Sequence, residues 1–320
     1  MLPGINGYEK CNGCGLCTLP CPIWRQSYDS LLTFAGRARA LQGGAKIEEI
    51  RNSVDACILC GSCEAACSMG IRTVDITLKL RAAINKNNEE MPIQRYNDQA
   101  LTETTILLPN AALLADKKTL KLTTGLLNIP LAKDNSQDIL LFLLKKFEVG
   151  FIPEAEMLEG FLRRLIRLRQ VVIADGLFKR YIRALIPELH TEILGLGEAL
   201  LRLPAIKNAL KPTDLYIIEA RSYNMDFKRC MPFYTEISSQ TGCRMNLDLQ
   251  RIAIPTGGCI NTETGNEFTP KSTGQIRWIL EGRSFDRIVV ESVEDIGLLK
   301  NAVVGVPVVH VAELAGENAL

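Results

Sequence analysis

Histidine is nearly absent from this chain: His190 and His310 are the only two in 320 residues. Two are too few for haem ligation together with acid–base work, and each follows or sits in an apolar run, so a structural role is expected of both. Charge of one sign is also lacking. A formal net charge of +1 provides no field to draw in nucleic acid, which removes DNA and RNA from the expected partners. Long hydrophobic runs are missing as well. The stretches 105–108 and 139–144 are short, and Asp116, Lys117 and Lys118 interrupt their neighbourhood, so no transmembrane segment of about 18–20 residues is read. Residues 1–10 hold no basic stretch followed by an apolar core, so no secretory signal is read either. A cytoplasmic protein is expected, with any membrane contact peripheral and on the cytoplasmic face. Nucleotide signatures are thin. Gly195-Leu196-Gly197 lacks a third glycine, Lys271 and Ser272 are not in phosphate-loop order, and no flavin or nicotinamide site is read.

What is present is a sizeable core and a patterned set of cysteines. Hydrophobic residues make up 47% and charged residues 23%, the balance of a globular protein, and the length predicts two or three folding units. Eleven cysteines in a reducing compartment point to metal ligation instead of disulfides. Cys11, Cys14, Cys17 and Cys21 are spaced C-x2-C-x2-C-x3-C with Pro22 next, and Cys57, Cys60, Cys63 and Cys67 repeat the spacing. Three thiolates three residues apart in a tight loop wrap one cubane, whereas the fourth points towards the other cluster. On that geometry one [4Fe–4S] cluster takes Cys11, Cys14, Cys17 and Cys67, and the second takes Cys57, Cys60, Cys63 and Cys21. Structural zinc would instead use separated cysteine pairs. Gly13, Gly15 and Gly61 suit a loop folded around a cubane, and are equally ordinary turn glycines. Ser68 stands where a second proline would be usual.

Between the motifs, Leu31, Leu32, Phe34, Ala35, Ala38, Leu41, Ile47 and Ile50 are spaced as in a helix across residues 28–52. That favours a helical ferredoxin module over the compact bacterial type. The stretch from Cys11 to Pro22, Gly36-Arg37-Ala38-Arg39, and Cys57-Ile58-Leu59-Cys60 through Gly70-Ile71 resemble the iron–sulfur subunits of glycolate oxidase, anaerobic glycerol-3-phosphate dehydrogenase and heterodisulfide reductase over roughly the first 90 residues. The resemblance implies single-electron transfer between a flavin subunit and a further acceptor.

After the polar stretch 85–99 the chain alternates strand-like and helical segments. Residues 162–201 and 276–317 read as copies, each with a helix, a strand (Val171–Asp175; Ile288–Glu291), a helix and a last strand, offset by about 115 residues. Residues 104–108 and 215–219 would be the matching first strands. Order and length resemble the paired cysteine-rich CCG domains of the same families, but their adjacent cysteines and later C-x2-C are missing. The second copy has Ile254 to Cys259 and then Glu291-Ser292-Val293-Glu294, and residues 150–157 onward in the first copy have no cysteine. The expected fold is therefore α+β and multidomain. It has a helical dicluster ferredoxin at 1–95 and two tandem α/β domains at 100–210 and 211–320, degenerate CCG-like units kept as scaffold.

Cys230, Cys243 and Cys259 are scattered and are expected to be buried small hydrophobes, with Cys259 beside Gly257 and Gly258 the best candidate for a function. Arg163, Arg164, Arg167, Arg169, Lys179, Arg180 and Arg183 form a basic helical region that is either a dock for an acidic partner or headgroups, or one solvated face. The leading reading is an electron-transfer subunit, not itself an enzyme, working with an FAD-containing dehydrogenase or electron-transferring flavoprotein and passing electrons to a quinone, another subunit or a soluble carrier. The alternatives are a heterodisulfide-reductase-like catalytic subunit using the C-terminal domains, and a redox sensor. Metal analysis of anaerobically prepared protein is expected to give about eight iron and eight sulfide per chain. Four iron, or stoichiometric zinc, would contradict the two-cluster reading.

Overall fold

A computed structural model describes residues 5–85, 105–131, 144, 146–151, 159–185, 191–249, 251–258 and 266–317. The N-terminal region is helical. Pro22, whose ring presets the helical φ, opens α1 (Pro22–Ser27) directly after Cys21 in extended backbone. α2 (Phe34–Gln42) is capped by Thr33, whose Oγ1 accepts the Gly36 N–H at 3.2 Å. The helical spacing of 28–52 is realised in pieces, because Gly43 and Gly44 end α2, the latter at φ 91°. A short 3-10 turn over Ile47–Ile50 then leads into α3 (Arg51–Asp55). α4 (Ser62–Ala65) follows Gly61 in the second cysteine loop, and α5 (Thr73–Asn85) closes the module. Phe34, Ala38, Leu41, Val54, Ile76 and Leu80 form its core.

Two parallel sheets follow. In the first, β1 (Thr105–Leu108), β2 (Gln170–Ile173) and β3 (Glu192–Gly195) pair in that order, and Leu131 bridges Leu107 on the far side of β1. β1 leads into α6 (Ala111–Ala115) and α7 (Lys117–Leu127), α8 (Glu159–Leu165) precedes β2, and α9 (Gly176–Leu185) links β2 to β3. α10 (Leu196–Leu201) and α11 (Pro204–Lys207) complete this half. In the second sheet β4 (Asp214–Ile217) is followed by α12 (Ala220–Asn224), α13 (Phe227–Thr241) and β5 (Arg244–Met245). A small hairpin of β6 (Leu247–Asp248) and β7 (Ile252–Ala253) comes next, then α14 (Ser272–Leu280), β8 (Arg287–Val290), α15 (Glu294–Ala302), β9 (Val308–His310) and α16 (Leu314–Glu317). The order β5-β4-β8-β9 matches Leu131-β1-β2-β3 position for position. The strand–helix alternation read as a repeat in the sequence is thus a repeat of sheet topology.

Strands buried on both faces read as continuous Ile-Val-Val runs because helices cover both sides of a parallel sheet. Alternate residues therefore serve different cores. Leu107, Val172 and Leu194 join Tyr216 and Val289 of the second sheet in one shared core. Ile106, Leu108, Val171 and Ile173 face the other way, onto Val74 and Leu78 of α5 and Leu59 of the second cysteine loop. Leu215, Ile217, Ile288 and Val290 pack on α14 and α15.

The segments leaving the carboxyl ends of one sheet press against those leaving the other. A Cβ at Gly176 would lie 2.2 Å from the Ser222 amide nitrogen, and one at Gly197 would lie 1.9 Å from the Glu291 carboxyl carbon. No helix among the described residues is long and apolar enough to cross a membrane. Gly176→Ala is expected to lower stability by about 3 kcal/mol, since backbone on both sides cannot withdraw. Gly125→Ala in α7, where a Cβ meets nothing within 4 Å, is expected to raise it by roughly 1 kcal/mol. Denaturant midpoints of the two variants, moving in opposite directions, are the measurement.

Candidate iron–sulfur centre

Each cysteine loop turns on glycines that adopt left-handed backbone: Gly13 (φ 76°) and Gly15 (φ 75°) in the first, Gly61 (φ 74°) in the second. Leu59 shares that conformation at φ 54°, a strained choice for a leucine held in place by its burial. The two loops interlock. Ser68 at the end of the second motif lies 3.9 Å (Oγ to Sγ) from Cys14 in the first, and the short turn Leu16–Thr18 packs on α4.

Electrostatic neighbours sort the eight thiols into two groups. Burial pushes the Cys17 thiol up to about 11, helped by repulsion from Cys11, Cys67 and Cys14. Burial likewise pushes Cys21 up to about 12, and the charges beside it are those of Cys60 and Cys57. Cys63 is pushed well above its ordinary value by burial and by Cys57, Cys60 and Cys21. The fold thus brings Cys67 to Cys11, Cys14 and Cys17, and Cys21 to Cys57, Cys60 and Cys63. Thiols crowded in this way ionise together only when a metal supplies positive charge.

The second group lines one apolar cavity together with Ile23, Phe34 and Arg37. Among the described residues, no three His, Cys, Asp or Glu side chains converge as one mononuclear ion would require. Four cysteines around one apolar cavity are the ligand type and number that a cubane asks for. Two further observations fit such a group. Arg37 Nε is buried at this cavity with no hydrogen-bond partner. Cys57, although burial pushes its thiol up, is held below its ordinary value by the charges of Arg37 and Arg81. Hydroxyls stand beside other sulfurs, Ser62 Oγ 3.3 Å from Cys60 and Thr73 Oγ1 3.0 Å from Cys63.

The second loop is gripped by the C-terminal body. Arg221 of α12 donates to the Ile58 carbonyl at 2.9 Å, and Asn224 donates to the Cys60 carbonyl at 3.1 Å. Arg81 donates to the carbonyls of Cys57 and Glu148, and Arg221 pairs with the Glu148 carboxylate. Arg180 of α9 ion-pairs with Glu64 at 2.6 Å and Asp75 at 2.9 Å. The basic helical region therefore does not form one solvated face. Lys179 and Arg180 turn inward, the first onto Ser222 Oγ at 2.8 Å, because carboxylates and carbonyls of neighbouring segments receive them. Sequence reasoning missed Arg81, Arg221 and Asn224, which lie in unremarked helices and act only through partners distant in the chain.

At the carboxyl ends of the sheets, where doubly wound folds place ligands, stand buried acids. Glu291 accepts from the hydroxyls of Tyr216 (2.9 Å) and Tyr234 (2.6 Å) and from the Glu219 N–H (2.8 Å), and burial raises its pKa. Burial and the Asp175 carboxylate push Glu219 up to about 8 and Glu294 to about 7. Cys230 and Cys243 belong to the shared core, and burial raises both thiols, Cys230 to about 11. His310 is buried with Nε2 3.0 Å from the Glu291 carbonyl and Nδ1 accepting the Ala312 N–H, a satisfied neutral ring whose pKa burial lowers to about 4. Cys259 and His190 lie outside the described residues.

Residues 7–71 match the family model of the 4Fe-4S dicluster domain. No curated protein matches the chain. No solved structure matches it either. The chain is an iron–sulfur protein with a cluster-binding, helical N-terminal region followed by mixed helix and sheet, and a dicluster domain points to electron transfer.

Cys67→Ser is expected to alter the spectroscopic signature of the cluster on Cys11, Cys14 and Cys17 and to leave the other unchanged. A change confined to the signal that depends on Cys57 and Cys60 would contradict the exchange of fourth ligands. Both Cys67→Ser and Cys21→Ser should also lower the unfolding midpoint, since cluster binding is coupled to folding.

Proposed function

We propose that this protein is the electron-relaying subunit of a larger oxidoreductase, of the type found beside glycolate oxidase and anaerobic glycerol-3-phosphate dehydrogenase flavoproteins. In this reading Cys11, Cys14, Cys17 and Cys67 hold one [4Fe–4S] cluster, and Cys57, Cys60, Cys63 and Cys21 hold a second. Each bound cluster accepts and returns one electron at a time. The partner is an FAD-containing dehydrogenase or an electron-transferring flavoprotein, and the acceptor is a quinone, another subunit or a soluble carrier.

The observation that carries the reading is the unequal exposure of the two groups. In the first group Cys14 is exposed, with Leu16 and Leu19 uncovered nearby in the chain and Met69 uncovered next to Ser68, and only Cys17 is buried; in the second no cysteine is exposed, Cys21 and Cys60 are buried, and the loop that carries Cys60 is held against the C-terminal body. One group faces outward to a partner and the other inward, the layout a relay needs. Catalysis at the C-terminal domains would need reactive thiols at the carboxyl ends of the sheets. Cys230 and Cys243 instead pack in the core, where buried thiols are inert.

The variant combining Cys230→Ala, Cys243→Ala and Cys259→Ala is expected to keep about eight iron and to accept electrons from the co-purifying flavoprotein at near the parent rate in an anaerobic stopped-flow assay. If it keeps its iron and loses the relay, or if the isolated parent chain reduces a disulfide or oxidises a substrate unaided, the catalytic reading takes its place.

A further inference from the structure

The two groups of thiols differ in the charges buried with them. Three guanidiniums are packed around the Cys57–Cys60 loop: Arg37, Arg81 and Arg221, each 2–3% exposed. Arg37 is held by α2 so that Nη1 donates to the Ser53 carbonyl at 2.5 Å and Nη2 to Thr77 Oγ1 at 3.2 Å, while Nε remains without a partner at the cavity that Cys21, Cys57, Cys60 and Cys63 line. Arg81 and Arg221 both reach the carbonyls of that loop; Arg221 pairs with Glu148, Asp55 stands within electrostatic reach of Arg81, and Asp175, Glu219 and Glu294 stand within reach of Arg221. The other group has no such company. Arg39, whose side chain passes Gly13, is exposed and bonded to Gln42, and Lys10 is exposed.

Taking up an electron adds one negative charge to a site that four thiolates already make negative. Burial by itself disfavours that addition. Buried positive charge favours it strongly in a low dielectric, whereas solvent and salt screen exposed cations such as Arg39 and Lys10. Arg37 lines the cavity itself, and its hydrogen-bond partners are carbonyls and hydroxyls, not carboxylates. An N–H aimed at a cluster sulfur acts in the same direction.

We infer that Arg37, Arg81 and Arg221 set the reduction potential of the inner site, on Cys21, Cys57, Cys60 and Cys63, above that of the outer site, with Arg37 Nε–H donated to a sulfur of the bound cluster. An electron arriving on the Cys14 side then comes to rest beside the C-terminal body. The inference deepens the relay reading and rests on it. Arg37 is on this view a positioning and tuning residue.

The test is a potentiometric titration of the anaerobic holoprotein followed by electron paramagnetic resonance, with Cys14→Ser used to mark the outer signal by changing or abolishing it. In the parent protein the first electron is expected on the signal that Cys14→Ser leaves intact. Arg37→Gln is expected to disfavour reduction of that site at least tenfold, about 59 mV for a one-electron couple, without moving the outer site. Arg37→Lys, which keeps the charge and lacks the Nε–H, should recover part of the shift. A first electron on the Cys14-marked signal overturns the inference, as does an Arg37→Gln variant that moves both potentials equally or neither. The order of reduction in the parent decides the matter even if Arg37→Gln does not fold. Iron content separates the two levels: a parent with well under about eight iron fails the two-cluster reading itself, whereas a full complement with the reverse order of reduction fails only the inference.

Discussion

Four thiolates can be buried side by side only if positive charge is buried with them. Much of the arrangement between the N-terminal module and the two sheets answers that constraint. Iron supplies most of the charge at such a site, and Arg37, Arg81 and Arg221 supply more around the Cys57–Cys60 loop. Each guanidinium must in turn be satisfied, and their partners come from three separate parts of the chain: Ser53 and Thr77 in the module, Glu148 between the first and second strands, and the cysteine loop itself. Removing the Glu148 carboxylate would break its buried ion pair with Arg221, at a cost of roughly 3–5 kcal/mol. Arg81 and Arg221 thereby fasten the module to the body at the second cysteine loop.

Repetition of the sheet has a second consequence. Two copies of one topology meet through the segments that leave the ends of their strands, so the other copy narrows the crevice where a doubly wound sheet ordinarily receives a ligand. Gly176 and Gly197 permit the close approach. The acids gathered there are kept largely by hydrogen bonds, Glu291 by two tyrosines and a backbone N–H, and Glu219 by the amides of Arg221 and Ser222. Their raised pKa values follow from burial and mutual repulsion, and so do not by themselves mark a reacting centre.

Much was legible in the linear chain because the relevant signals are local. The cysteine spacing is set by what one loop can wrap and the Ile-Val-Val runs by burial on both faces of a parallel sheet, whereas Gly43 and Gly44, which the helical spacing of residues 28–52 passed over, end α2. The repeat was visible for the same reason, since each copy carries its own strand and helix pattern. The expectation that Cys230 and Cys243 pack as small hydrophobes agrees with their place in the shared core.

Long-range partnership was not legible. Lys179 and Arg180 belong to a run of basic residues that in sequence suggests a charged face, yet α9 lies between the module and α12 and turns both inward to Ser222, Glu64 and Asp75. Nothing near Arg81 or Arg221 in the chain hints that they would meet at one cysteine loop, because their partners are separated by up to 163 positions. The sequence by itself determined the spacing of the cysteines within each loop and which segments become strands and helices, since those properties depend on neighbours a few residues away. Only the tertiary structure decided which group faces solvent and which buried charges surround the other, because burial and charge pairing are properties of space and not of order along the chain.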